Sequence, residues 1–320
     1  MFCLFYCFYY IIITGIPGSP LPLATLKSSQ FSFLAMRSAT PVTNKLLKQF
    51  IPRRDPNSRK GQNGRVLVIG GSEKYFGSPA LVGLAALRAG ADLAYILTPR
   101  FAAPTIASYS PDLIVWSYEG TQLNSKAFAL LGELELKADT LVIGNGLTKD
   151  PAVLKHVREI ISSWEKPIVI DADAIMPGLK ITSKNAVLTP HSMEFERLSG
   201  SKPSKDLDAR ANQIAKLAER IGATVLLKGT DQDLISNGKA SYSNGTGNAG
   251  MTAGGTGDTL AGICGALLAQ GAKPVEAAAA AAFINGAAGD LAFKKLGYSL
   301  LATDIISELP SVMKKLARAL

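Results

Sequence analysis

Short apolar runs rich in branched residues alternate with helical patterns from residue 65 onward, and this alternation constrains the fold more than any other feature of the sequence. The apolar runs predict strands at 65–71, 93–99, 113–118, 140–146, 167–174, 186–191 and 224–230. The helical patterns between or after them lie at 78–90, 101–109, 124–137 and 151–163. Such alternation is typical of parallel βαβ units, and continuous apolar strands suit a sheet covered on both faces. The sequence therefore predicts an α/β fold in three layers, with a doubly wound, mostly parallel sheet flanked by helices.

The second half of the chain adds a predicted hairpin and then helices. The hairpin strands are predicted at 233–237 and 239–244, and the helices at 258–270, 274–296, 302–308 and 310–319. The alanine run at 277–282 is too short for a membrane helix, so we predict a buried packing helix there. Because no internal repeat or linker interrupts the pattern, we predict one domain over residues 45–320.

Residues 1–44 precede the predicted domain as an N-terminal extension. Residues 2–13 are wholly apolar, but twelve residues are too few to span a bilayer, which takes about 20. Three interpretations stay open: a misassigned start, with translation beginning at Met36, a targeting segment, or a membrane-associated segment. We exclude this extension from the fold prediction.

The charge distribution argues against a nucleic-acid partner. The chain has a net charge of +9, but six basic and no acidic residues lie within residues 1–54. The remainder is nearly neutral, with 28 basic against 25 acidic side chains, and it shows no basic stripe of the kind that binds nucleic acid. Cys3, Cys7 and Cys264 form neither a disulfide pattern nor a metal-binding pattern, so we expect a reducing, cytoplasmic location.

A glycine-rich stretch precedes the last helical region, since six of the fifteen residues at 244–258 are glycine. Glycines let the backbone approach a ligand, and the N-terminus of the following helix offers free N–H groups and a positive dipole end. These features predict an anion site at Gly254, Gly255 and Gly257, although an ordinary flexible loop has the same composition. The segment 245–250 matches a dinucleotide-binding motif, but five residues separate it from the helix, which excludes that interpretation.

Asp258 lies at the mouth of this predicted anion site. It is either a helix N-terminal acid favoured by the dipole, worth about 0.3–1 kcal/mol, or a general base. As a base it would keep a low pKa, stay ionised at neutral pH and accept a proton from a hydroxyl that attacks a phosphoryl group. The residues alone leave both interpretations open.

The helix after Asp258 combines apolar and small residues. A single core-facing stripe is predicted from its apolar spacing at Leu260, Ile263, Cys264 and Leu267. The small residues between them would let a neighbouring element pack closely, either within the subunit or across subunits.

Polar residues follow several predicted strands, where open α/β sheets bind ligands. The segments are GGS after residue 69, NG after 143, DAD after 170, TPH after 188 and KGTD after 227. Lys228 could contact phosphate or be a solvated loop lysine. His191 could orient a substrate amide with Glu194, or the two could cap a helix. Asp171 and Asp173 could gather magnesium through water or hydrogen-bond loops.

Six segments, in this order, resemble the ADP/ATP-dependent NAD(P)H-hydrate dehydratases of the ribokinase-like superfamily. They lie at 60–93, 142–151, 169–175, 188–200, 226–235 and 248–262, and the resemblance covers nearly all of residues 50–310. GGTGD is shared with many ribokinase-like kinases, whereas GSEKYFGSPALVGLAALRAGA and TPH-x-x-E are far more specific. The resemblance implies a lyase that repairs hydrated NADH and NADPH, (6S)-NADHX and NADPHX. A nucleotide phosphorylates the ring hydroxyl, and phosphate then leaves.

The resemblance also implies a role for each matching residue. Asp258 would be the catalytic base and would contact the substrate together with Ala80, Gly146 and His191. The transferring phosphate would be bound by Gly254, Gly255, Thr256 and Gly257. The nucleotide site would be lined by Lys228, Gly229, Thr230, Asp231 and Gln232. Mg²⁺ would bridge the phosphates, and no protein ligand to the metal is predicted.

Partners follow from the same resemblance. The loop NAGMTAGGTGD is similar to the prokaryotic branch, which implies ADP rather than ATP as donor and favours the misassigned start. Many relatives carry a fused epimerase domain, for which too few residues precede the first predicted strand, so we expect a separate NAD(P)HX epimerase or reliance on spontaneous epimerisation. The family resemblance further implies a homotetramer. Two alternatives stay open: a ribokinase-like small-molecule kinase of the hydroxymethylpyrimidine kinase type, and a non-catalytic nucleotide-binding module.

Overall fold

The computed structural model describes residues 39–319. Within them, one sheet contains the strands β1 Thr40–Pro41, β2 Arg65–Ile69, β3 Leu93–Pro99, β4 Leu113–Tyr118, β5 Thr140–Ile143, β6 Ile168–Ile170, β7 Ala186–Leu188, β8 Thr224–Leu227, β9 Asp233–Ser236 and β10 Ser241–Asn244. The α-helices are α1 Asn44–Phe50, α2 Ser78–Arg88, α3 Ala103–Tyr109, α4 Phe128–Lys137, α5 Pro151–Ser163, α6 Ser192–Ser199, α7 Leu207–Ile221, α8 Thr256–Ala269, α9 Pro274–Leu296 and α10 Ala302–Ala319.

The strand order places a crevice near the middle of the sheet. The order is β1-β10-β9-β8-β7-β6-β5-β2-β3-β4, and only β9 runs antiparallel to its neighbours among the described strands. After β1 at one edge, the chain enters at β2, adds β3 and β4 on one side and continues from β5 on the other. The direction of winding therefore reverses between β2 and β5, and ligands bind at the carboxyl ends of strands at such a point.

Helices cover both faces of the sheet. Because side chains alternate along a strand, Val66 and Val68 of β2 join a core with α2, α8 and α9, whereas Leu67 and Ile69 join a second core with α4 and α5. A smaller third core connects β8 and β9 to α6 and α7. The three-layer, mostly parallel α/β fold predicted from the sequence is thereby confirmed.

Helix α8 is buried on all sides, so the prediction of a single core-facing stripe is wrong. Every residue from Thr259 to Leu268 is buried, because the helix packs on the sheet, on α2 and on α9. A Cβ atom at Gly262 would lie 2.2 Å from the carbonyl oxygen of Val82, and one at Gly265 would lie 2.5 Å from Cγ2 of Val142. The predicted close packing of small residues is confirmed, and these contacts lie within the subunit.

The helical C-terminal region differs in detail from its prediction. The predicted helices at 302–308 and 310–319 are one helix, α10, with Pro310 inside it. Pro310 removes one backbone donor, but the apolar face of α10, including Leu309 and Val312, is buried against the core and holds the two halves together. The alanine run of α9 is buried as predicted, and none of the described helices is long and apolar enough to cross a membrane.

The folded region also begins before residue 45. Thr40 and Pro41 pair with β10 in parallel, and the Thr43 side chain caps α1. Phe50 of α1 then packs edge-to-face on Tyr242 of β10, with ring centroids 5.2 Å apart. Residues 40–44 of the predicted extension therefore belong to the sheet and its first helix. The three interpretations of the apolar segment 2–13 lie outside the described residues.

Candidate active site

The carboxyl ends of β5, β6, β7 and β8 bring four polar side chains together beside the N-terminus of α8. Asn145 follows β5, Asp171 follows β6, Thr189 follows β7 and Lys228 follows β8. Asp258 enters the same place from the first turn of α8. The crevice expected at the reversal of strand order is therefore polar and charged.

Asp171 is the centre of this hydrogen-bond network. Its side chain is 2% exposed and accepts hydrogen bonds from Thr189 Oγ1 at 2.6 Å, Asn145 Nδ2 at 2.9 Å and Lys228 Nζ at 3.1 Å. The ammonium compensates the buried carboxylate, as buried charges require. Asp171 has the loop-bonding role considered from the sequence. Asp173 instead lies 3.7 Å from Lys149 Nζ.

Asn145 connects this network to Asp258. Its Nδ2 atom donates both to Asp171 Oδ2 and, at 2.7 Å, to Asp258 Oδ1. Asn145 is fully buried, and its Oδ1 atom has no hydrogen-bond partner within the described structure. In the sequence, the NG pair is one of the polar segments that follow predicted strands, but Asn145 was assigned no role, because an Asn-Gly pair after a strand is the ordinary signature of a turn.

The ionisation of Asp258 differs from the prediction. Burial raises the pKa of Asp258 to about 6, and the nearby Asp171 carboxylate adds to the rise. Hydrogen bonds from Asn145 and Ser78 and the Lys228 charge oppose it without cancelling it. The prediction that the carboxyl keeps a low pKa is therefore wrong, since burial outweighs the helix dipole. A pKa near 6 suits a general base at neutral pH.

The start of α8 has the features of an anion site. Gly255 precedes the helix with φ +90°, and within residues 39–319 no side-chain hydrogen bond caps the first turn. A Cβ atom at Gly257 would lie 3.4 Å from Lys228 Nζ, so the ammonium lies beside the helix N-terminus. Burial opposes the charge of Lys228, but Asp171 and Glu194 overcome that effect and raise its pKa, so the side chain stays protonated. Two positive features thus face the same space.

A cavity of about 160 Å³ adjoins this candidate anion site. Its lining includes all five residues predicted for the nucleotide site: Lys228, Gly229, Thr230, Asp231 and Gln232. Thr256 and Gly257 also line it, whereas Gly254 and Gly255 stand outside the lining. The wall also includes polar residues with no role predicted from the sequence, among them Asn244, Thr246, Asn248 and Asn285. In the sequence, Asn285 is recognisable as a polar residue within the alanine-rich segment that forms α9.

The loop after β8 is held rigid at one wall of the cavity. A Cβ atom at Gly229 would lie 2.0 Å from the carbonyl oxygen of Gln232, so only glycine fits there. The Gly229 N–H donates to Asp233 Oδ1 at 3.1 Å. Asp231 pairs with Arg210 Nη2 at 2.7 Å, and this hydrogen bond lowers the pKa of Asp231.

His191 forms a capping box at the start of α6. Its Nδ1 accepts from the N–H of Met193 and Glu194, and the Glu194 carboxylate accepts from the His191 N–H at 2.8 Å. Burial and the neighbouring Lys228 lower the pKa of His191, which favours the neutral ring. The capping interpretation is confirmed. Contact with a substrate stays a prediction, and the ring is 43% exposed.

Gly146 and Ala80 both lie near the loop that precedes α2. Gly146 has φ +73°, and a Cβ atom there would lie 2.2 Å from the Tyr75 carbonyl oxygen. Ala80 lies in the first turn of α2, and the residue is 2% exposed and packed in the core. Their substrate contacts stay predictions.

Comparisons with known proteins agree with this geometry. The model of a family described as NAD(P)H-hydrate dehydratase matches residues 66–311. The ADP-dependent (S)-NAD(P)H-hydrate dehydratase of Nitrosopumilus maritimus is 43% identical over 277 residues, which cover 85% of this chain and 96% of that protein.

Two solved structures have the same fold. A ribokinase-like superfamily protein from Enterococcus faecalis superposes with a TM-score of 0.76 at 31% identity, covering 88% of this chain and 97% of that one. The ADP/ATP-dependent NAD(P)H-hydrate dehydratase of Bacillus subtilis, co-crystallised with ATP and Mg²⁺, superposes with a TM-score of 0.75 at 27% identity, covering 88% and 100%. The chain therefore belongs to the NAD(P)H-hydrate dehydratase family.

Proposed function

We propose that this protein converts (6S)-NADHX and NADPHX back to NADH and NADPH at the expense of a nucleotide. The observation that carries the proposal is the position of Asp258, a carboxylate with a pKa of about 6 beside Lys228 and the uncapped start of α8. A base next to an anion site is what transfer of a phosphoryl group to a hydroxyl requires. Family membership supplies the substrate class.

The reaction divides into two steps that balance. Asp258 takes the proton of the ring hydroxyl while the hydroxyl oxygen attacks the terminal phosphorus of the nucleotide. The bond between that phosphorus and the rest of the nucleotide, the leaving group, breaks. The phosphoester then eliminates: its carbon–oxygen bond breaks and phosphate leaves, the neighbouring ring carbon loses a proton, and the electron pair of that carbon–hydrogen bond forms the ring double bond that restores the dihydronicotinamide. Lys228 and the N–H groups of Thr256 and Gly257 stabilise the charge on the transferring phosphoryl group.

The cavity beside Lys228 is the nucleotide site in this proposal. Its loop from Lys228 to Gln232 is held by Asp233 and Arg210, so the wall is set before the nucleotide binds. We propose ADP as the donor, because the relative from N. maritimus is named ADP-dependent, although the B. subtilis protein is named for both nucleotides.

We propose that a magnesium ion binds together with the nucleotide phosphates, since the B. subtilis relative was co-crystallised with ATP and Mg²⁺. The described residues include no group of three His, Cys, Asp or Glu side chains that could hold a metal. Mg²⁺ often keeps several waters and binds through substrate phosphates with one or two carboxylates, so a protein cage is not required. When bound, it neutralises phosphate charge. The separate epimerase, the homotetramer and the cytoplasmic location stay predictions.

One assay tests the proposal. Hydrated NADH is mixed with Mg²⁺ and either ADP or ATP, and absorbance at 340 nm is followed. We expect absorbance to recover with ADP and to require the nucleotide. No recovery with either nucleotide contradicts the proposal. A stable phosphoester of another small molecule would then indicate a kinase, and nucleotide binding without turnover would indicate a binding module.

Asp258→Asn tests the role of the base in the same assay. Because the amide cannot take the proton, we expect turnover to fall by about 10²–10⁴-fold. Nucleotide binding, measured by calorimetry, should persist, since Lys228 and the start of α8 are retained. Turnover at the wild-type rate would exclude Asp258 as the base.

A further inference from the structure

We propose that Asn145 is a positioning residue for Asp258: its carboxamide fixes Oδ1 of that carboxylate and ties it to the Asp171–Lys228 pair. The inference deepens the proposed function and rests on it for the identity of the base. It stands on three observations: where the backbone holds Asn145, what its amide hydrogens do, and what its oxygen lacks.

Close contacts hold the backbone of Asn145 at the point where the strand order reverses, between β2 and β5. Gly144 and Gly146 flank it with φ +126° and +73°. A Cβ atom at Gly144 would lie 1.8 Å from the Asp171 carbonyl oxygen, and one at Gly70 would lie 2.2 Å from the Asn145 carbonyl oxygen. That carbonyl oxygen also accepts from the Gly71 N–H at 3.0 Å. The ends of β2, β5 and β6 therefore fix where the side chain begins.

The amide group of Asn145 is committed to two carboxylates. Nδ2 lies 2.9 Å from Asp171 Oδ2 and 2.7 Å from Asp258 Oδ1. Among protein side chains, an amide supplies two donors from one atom without adding charge. A donor between two acidic groups holds both in place while they would otherwise repel each other.

The buried Oδ1 atom supports the same role. It has no partner within the described structure, although an unmade hydrogen bond at a buried oxygen is costly. The reverse orientation would direct this oxygen at two carboxylates. The orientation is therefore set by the demand of Asp171 and Asp258 for a donor, at the expense of the oxygen.

The groups that face Asp258 come from four elements. Asn145 and Ser78 donate to it, Asp171 faces it with like charge, and Lys228 faces it with opposite charge. Removing the Asn145 donor leaves the other three in place. We therefore expect Asn145→Ala to move the titration of Asp258 to higher pH and to lower kcat by about 10- to 100-fold, because the carboxylate is less well aimed.

The test measures the titration of Asp258 both in the ligand-free protein and during turnover. The ¹³C chemical shift of the Asp258 carboxyl is followed against pH in the ligand-free protein, and kcat and KM for ADP are measured against pH. We expect the carboxyl midpoint and the acid limb of kcat to rise together, with KM for ADP within about threefold of wild type because the cavity wall is untouched. A merely structural role would lower the melting temperature without moving either titration.

Two further variants keep the test decisive. Thr189→Val removes a hydrogen bond from Asp171 but none from Asp258, so it should move the Asp258 midpoint less than Asn145→Ala. If Asn145→Ala does not fold, Asn145→Asp keeps the shape and replaces the donor by a third carboxylate, which should raise the Asp258 midpoint. An unchanged midpoint in the folded Asn145 variant overturns the inference. Absence of turnover in the wild type would instead contradict the proposed function and leave the ligand-free titration as the test of Asn145.

Discussion

Lys228 Nζ lies 3.1 Å from Asp171 Oδ1, although the strands that carry them, β8 and β6, are separated by β7. The Lys228–Asp171 pair extends the polar network across the carboxyl end of β7, the strand between them. It also holds the ammonium beside the start of α8, where the proposed phosphate site lies. This ion pair therefore both compensates the buried charge of Asp171 and positions the Lys228 ammonium at the proposed phosphate site.

Lys228→Met is expected to destabilise the fold as well as nucleotide binding. It leaves the 2% exposed Asp171 carboxylate without its counterion, while Lys228 itself is 24% exposed. We expect a loss of about 3 kcal/mol in the free energy of unfolding, at the low end for breaking a buried pair. Urea unfolding measures it, and Asp171→Asn/Lys228→Met should recover much of the stability without restoring turnover. Strictly additive losses in the double variant would contradict this coupling.

Asp258 makes stability depend on pH in a predictable direction. Its pKa rises from the ordinary 3.8 to about 6 on folding, so the folded state favours the protonated carboxyl. That contribution is present below about pH 4 and is lost as pH rises through 6. We expect Asp258→Asn to gain about 1–3 kcal/mol relative to wild type between pH 4 and 7. Parallel unfolding curves across this range would contradict the shifted pKa.

Much of the fold could be predicted from the sequence, and the exceptions have physical causes. The strands from β2 to β8 are continuous apolar runs, and their positions agree with the prediction to within a few residues. Helix α7 was not singled out, although its buried stripe includes Ile214 and Leu217. The burial of all sides of α8 depends on its neighbours in space, and periodicity within one helix does not encode them.

The candidate site divides in the same way. The segment 228–232 carries a recognisable motif, and all of it lines the cavity. Asn145 carries no such signal, because its importance comes from lying between Asp171 and Asp258, which are distant in sequence. The pKa of Asp258 was predicted wrongly for a related reason: the burial that raises it comes from elements packed around α8.

Gly257→Ala should separate nucleotide binding from stability. The new methyl group would lie in the cavity wall, 3.4 Å from Lys228 Nζ. We expect the Kd for ADP to rise about tenfold, or about 1.4 kcal/mol, while the helix gains about 0.5–1 kcal/mol from replacing glycine. Calorimetry and thermal unfolding measure the two effects.

Gly245→Ala is the matched control for that variant. It lies in the same glycine-rich stretch, and a Cβ atom there would meet no atom of the described residues within 4 Å. Its ADP affinity should match wild type. An equal loss of affinity in both variants would indicate a general effect of stiffening the loop rather than a contact at Lys228.

Gly262→Ala should destabilise the core, because α8 leaves no room for a methyl group. The new Cβ would lie 2.2 Å from the Val82 carbonyl oxygen and 3.0 Å from the Ala85 Cβ, so α2 and α8 would have to separate. We expect a loss of about 1–3 kcal/mol in the free energy of unfolding, the usual cost of overpacking. Gly132→Ala on α4 is the control, since its Cβ would meet nothing within 4 Å in the part of the chain that the structure describes. This variant should gain about 0.5–1 kcal/mol from helix propensity alone. Because α8 carries Asp258 in its first turn, Gly262→Ala should also lower turnover at temperatures where the protein stays folded. Equal stability of the two alanine variants in urea would mean that α2 and α8 move apart at little cost, and that their close packing does not hold Asp258 in place.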